Sequence, residues 1–88
     1  VLFVDFATER GDVVDYTVAL LLGTPAGTKT VRLYDGAHGF NEMHRYTRRG
    51  GKQAGKAFHP GSLGQGMRAA IEEIKEGFVE MIEGWRGS

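Results

Sequence analysis

Apolar and polar residues alternate along the first half of this chain and regroup into a helical stripe in its last third. From Val1 to Ala7, Leu2, Val4 and Phe6 alternate with Val1, Phe3 and Asp5, which is the period of a strand. Glu9-Arg10-Gly11-Asp12 has the composition of a turn. Val13 to Leu22 carries the strongest strand pattern, with Val14, Tyr16, Val18, Leu20 and Leu22 on one face. Asp15, Thr17 and Ala19 face the other way, as a half-buried strand requires. Gly23 to Gly27 closes a hairpin, and Thr28 to Asp35 reads as a third strand. Its alternation places Val31 and Leu33 inward and Arg32 and Tyr34 outward.

Gly36 to Glu42 reads as a loop and Met43 to Arg49 as a fourth strand. With Met43 inward, the period of two sets His44, Tyr46 and Arg48 on the open face, beside Arg32 and Tyr34. Gly50 to Lys56 has three glycines and no apolar pattern, so a mobile basic loop is expected there. Ser62, with Gln65 three residues on, has the form of a capping box. Behind it Leu63, Met67, Ala70, Ile71, Ile74, Phe78, Met81, Ile82 and Trp85 recur at three- and four-residue spacing. Gly64, Gly66, Gly77 and Gly84 each cost this helix up to about 1 kcal/mol, so packing of its apolar stripe must hold it. The expected fold is one α+β domain over residues 1–88. A four-stranded antiparallel meander carries one C-terminal amphipathic helix on one face, giving two layers.

Composition sharpens this picture at three points. The chain has 41% apolar and 25% charged residues, as a globular domain does, and no cysteine, which removes disulfides and thiolate metal sites. The longest apolar run, Val18 to Leu22, suits a buried strand and is far too short to cross a bilayer, so no membrane partner is expected. Net charge is zero, yet it is segregated. Residues 43–71 hold six basic side chains and no acid, while residues 1–42 hold three basic and six acidic, and residues 72–88 two and five. Such a dipolar layout can draw a polyanion to one surface of a neutral molecule.

The candidate chemistry lies where this positive charge meets histidine and tyrosine. Arg32, Tyr34, Arg45, Tyr46, Arg49, Lys52 and Lys56 offer stacking rings and phosphate forks for RNA. Metal-independent cleavage of RNA needs a base, an acid and a cation on the phosphorane. His38 and His44, across the 36–42 loop, could supply the pair, with Arg48 or Arg49 as the cation. Asp35, His38 and His44 also have ligand-type side chains, but their spacing matches no zinc motif, and no metal or other cofactor is expected. His59, before Pro60, reads as a structural neighbour of the helix start.

The segment Arg32-Leu33-Tyr34-Asp35-Gly36-Ala37-His38 resembles a group of small prokaryotic proteins with an R-Y-D-x-A-H signature, similar to the TumE-type toxins of toxin–antitoxin pairs. In that pattern a strand ends in Tyr-Asp, a histidine follows in a loop, and a further histidine begins the next strand. Gly39-Phe40-Asn41-Glu42 stands here where those toxins carry a proline and a second clustered histidine. The resemblance implies a small cytoplasmic prokaryotic or phage-borne protein, with Tyr34, Asp35, His38 and His44 as its matching positions. The leading expectation is a nucleic-acid-directed protein of toxin-type ribonuclease character. The alternative is a non-enzymatic interaction module that self-associates as a homodimer or docks an antitoxin or host factor, because arginine and tyrosine also favour protein interfaces.

Overall fold

The longest apolar alternation, Asp12–Thr24, becomes β2, the central strand of the meander. It pairs antiparallel with β1 (Leu2–Glu9) on one side and with β3 (Gly27–Asp35) on the other. This architecture is that of a computed structural model that describes residues 1–88. Next come β4 (Asn41–Thr47), β5 (Gly51–Lys52), β6 (Lys56–His59) and the helix α1 (Leu63–Arg86). β4 pairs with β3 along one edge and with β5 and β6 along the other. The fold is α+β, an antiparallel sheet with one C-terminal helix.

Two strands therefore join the four expected from the pattern. β5 and β6 lie in and just after the stretch expected to be a mobile loop. They were hidden because a two-residue strand has no period, and β6 is held mainly by its backbone ladder to β4. β6 also contributes Phe58, whose ring meets that of Tyr34 edge-on at 4.9 Å. The 53–55 segment between them is consequently seated against β4.

The core forms where α1 crosses the sheet. Tyr16, Val18 and Leu20 from β2, with Val31 and Tyr34 from β3, pack against Met67, Ala70, Ile74 and Trp85. Burial of each large apolar side chain is worth roughly 1.5–3 kcal/mol, which together exceeds the glycine penalties inside the helix. Ser62 caps α1 reciprocally: its Oγ accepts from the Gln65 amide at 3.2 Å, and its own amide donates to Gln65 Oε1 at 2.9 Å. α1 covers β2, β3 and β4, leaving Phe3, Val4 and Phe6 of β1 exposed. No helix is both long and apolar enough to cross a membrane.

Tyr34 and Tyr46 do not stand on an open face as the alternation suggested. The register of β2 against β3 shifts between Leu20 and Leu21, where Leu20 faces Arg32 but Leu21 faces Thr30. Val31 is the extra residue of that irregularity. It stays in the core, and the phase beyond it flips, so Tyr34 points under the helix with no exposed surface. Arg32 shares that side of β3 and is half-buried. Tyr46 is half-buried too and packs against the core residues, so neither ring is freely presented for stacking.

Tyr34 Oη donates to Glu73 Oε2 at 2.7 Å, tying β3 to the middle of α1. Burial first, then this hydrogen bond, pushes the phenol up to about 12, with the neighbouring Arg32 guanidinium acting in the opposite sense. Burial and the Asp35 charge move Tyr16 upward as well. A phenol raised in the fold stabilises it fully below the unfolded value near 10, and that contribution disappears as pH climbs through the folded value. We therefore expect stability to fall by about 2–3 kcal/mol between about pH 10 and about pH 12 from Tyr34 alone. Urea midpoints across that range, with Tyr34→Phe showing a shallower decline, check this.

Candidate functional site

The last pair of the β3–β4 ladder sets Asp35 opposite Glu42, and two residues further along β4 His44 lies opposite Leu33. Facing pairs and every second residue share one side of a sheet, so Asp35, Glu42 and His44 project together, away from Tyr34. His44 Nε2 is 2.9 Å from Glu42 Oε1 and 3.8 Å from Asp35 Oδ2. All three side chains are only 12–13% exposed. The other ring nitrogen, His44 Nδ1, lies 2.9 Å from the Gln53 carbonyl oxygen. Gly55 comes so close to the Glu42 carboxylate that a side chain there would strike it, and the 53–55 segment thus roofs the cluster. His38 approaches from the solvent side, its Nδ1 3.5 Å from the same Glu42 Oε1 and its side chain 70% exposed. No lysine or arginine forms an ion pair with Asp35 or Glu42.

A second feature lies at the other end of β4. The β2–β3 hairpin, the end of β4 and the last turn of α1 enclose a cleft of about 750 Å³. Tyr46 and Trp85 supply its rings, and Lys29, Arg48 and Arg86 its charge, with no acidic residue in the lining. The end of the helix is pinned there, because the Arg48 amide donates to Ser88 Oγ at 2.7 Å and that hydroxyl donates to the Trp85 carbonyl at 2.6 Å. Arg48 and Gly51 join the cleft to the β4–β5 hairpin, where Arg45, Arg49 and Lys52 are exposed, while Lys56 is exposed at the other end of β4, opposite Met43. None of these hairpin cations is in an ion pair.

Residues 2–86 match the family model described as Domain of unknown function (DUF7718). The chain belongs to that family. No curated protein and no solved structure matches it.

In this DUF7718 chain the candidate residues sort into two groups. His38 and His44 do meet, but at Glu42 rather than at an open substrate position. Arg48, the first residue past the end of β4, belongs to the cleft. Arg45, Arg49 and Lys52 are exposed around the hairpin and Lys56 at the start of β6, while Arg32, Tyr34 and Tyr46 are drawn wholly or partly into the packed layer. His59 Nδ1 accepts the Gly61 amide at 3.0 Å beside the helix start. Glu42 was missed because it was assigned to a loop. Starting β4 at Asn41 would have placed Glu42 and His44 on one face by simple alternation. Trp85 was assigned to packing alone, and only the tertiary fold shows that it also borders the cleft.

Proposed function

We propose that this protein binds single-stranded nucleic acid, RNA in the first instance, through the cleft and the cationic hairpin beside it. The observation that carries this reading is the acid-free lining of the cleft, continuous with four exposed, unpaired cations at Arg45, Arg48, Arg49 and Lys52. Like charges held this close repel one another, and a phosphate backbone relieves that repulsion while releasing its own counterions. The cleft volume falls within the range of small-ligand sites, and Tyr46 and Trp85, though largely packed into the core, give its wall an apolar edge. Binding rather than cleavage is proposed, because both ring nitrogens of His44 are engaged by Glu42 and Gln53.

Fluorescence anisotropy of a labelled single-stranded RNA, read across a salt series, tests this. Four phosphate contacts should give a slope of log K against log salt of about −2.8, at about 0.7 for each contact on a single strand. Absence of binding at low salt, or an affinity indifferent to salt, would overturn the proposal.

A further inference from the structure

We propose that Asp35, Glu42 and His44 form a binding site for a divalent transition-metal ion, with His38 as its fourth ligand. Their donor atoms all lie within 4.8 Å of one another. Tetrahedral ligands about 2.0–2.2 Å from a common ion stand about 3.3–3.6 Å apart, so His44 and Glu42 at 2.9 Å need a small opening and Asp35 at 3.8 Å a small closure.

The tautomer of His44 points the same way and does not depend on the carboxylates. A carbonyl can only accept, so Nδ1 must donate its hydrogen to Gln53 O, which in the neutral ring leaves Nε2 a bare lone pair. Nε2 is directed at the carboxylate oxygens, so either a ring hydrogen or a metal ion must stand between it and Glu42. Neither lysine nor arginine competes for these carboxylates, so a divalent ion can take the place of that hydrogen. A histidine oriented through its second nitrogen by a backbone carbonyl is the usual support of a metal ligand.

His38 lies on the open side, where its imidazole can swing onto the ion and complete a set of two carboxylates and two imidazoles. Such mixed oxygen and nitrogen donors suit zinc, manganese or ferrous iron, and not calcium, which takes oxygen alone. This inference is independent of nucleic-acid binding, because the cluster and the cleft lie at opposite ends of β4.

Isothermal titration of the full chain with Zn²⁺ at neutral pH tests it, alongside metal content after equilibrium dialysis. One ion per chain is expected, with affinity reduced at least tenfold in Glu42→Gln and several-fold in His38→Ala. His38 is exposed, so its variant keeps the fold even if a buried substitution does not. Circular dichroism of each variant confirms folding, and Zn²⁺ should raise the melting temperature of the wild type but not of Glu42→Gln. Binding that is equally tight in wild type, Glu42→Gln and His38→Ala would overturn the proposal, as would no binding at all.

Discussion

Gly66→Ala should lower stability by about 3 kcal/mol or more, a fall of about 12–24 °C in melting temperature for a domain of this size. In an exposed helix the same exchange would stabilise by up to about 1 kcal/mol, so the expected sign is reversed. The cause is Asn41, the one buried polar side chain at the head of β4. A Cβ on Gly66 would fall on its carboxamide, so the helix can approach the sheet only without one. Asn41 has nowhere to go. Its Oδ1 accepts from Tyr16 Oη at 2.8 Å, while Nδ2 donates towards the carbonyls of His59, Gly61 and Ser62 at 3.0–3.3 Å. This one side chain therefore ties β2 and β4 to the end of β6 and the helix cap. Displacing it leaves a buried phenol and several carbonyls without partners, at about 1–3 kcal/mol for each group stranded. Thermal melts of Gly66→Ala against Gly84→Ala, where an added Cβ meets open space, separate this contact from helix propensity. Adding Gly66→Ala to Asn41→Ala should cost much less than adding it to the wild type, because the blocking group is already gone.

The same residues show how far the chain could be read before it was folded. β2 and α1 were legible because their apolar periods run long and unbroken, and Ser62 with Gln65 marked where the helix starts. The face of Tyr34 was not legible, since one extra residue at Val31 inverts everything after it and leaves no mark in composition. Asn41 and Gly66 looked like a loop residue and a helix defect. Their meaning is a contact between positions 25 residues apart, which no local pattern carries. The acid–histidine cluster was half visible: Asp35, His38 and His44 stood out as types, while Glu42, the residue they share, was concealed by a strand boundary set two positions late. The positive segment was legible as charge, but its division between an exposed hairpin and a packed layer depended on the sheet register.

Reversing three hairpin charges together, as Arg48→Glu, Arg49→Glu and Lys52→Glu, should weaken RNA binding by about 100-fold at about 0.1 M salt. Each phosphate contact on a single strand contributes about 0.7 of a decade at that concentration relative to 1 M, so three lost contacts remove about two decades. Repulsion from the new carboxylates adds to the loss, and the salt slope should fall by about 2. All three side chains are exposed and unpaired, so the melting temperature should change little, which separates lost affinity from lost fold. Trp85 is the only tryptophan in the chain and borders the cleft, so its fluorescence reports occupation without a label. If the cleft accepts a base, RNA should change that emission in the wild type at the concentrations where anisotropy rises, and in the variant only at about 100-fold more RNA. A triple variant that binds as tightly as the wild type would mean that the hairpin is merely a solvated surface. The cleft alone, with Lys29, Arg48 and Arg86 as its only cations, could then not account for recognition of a polyanion, since Arg48 would already have been reversed.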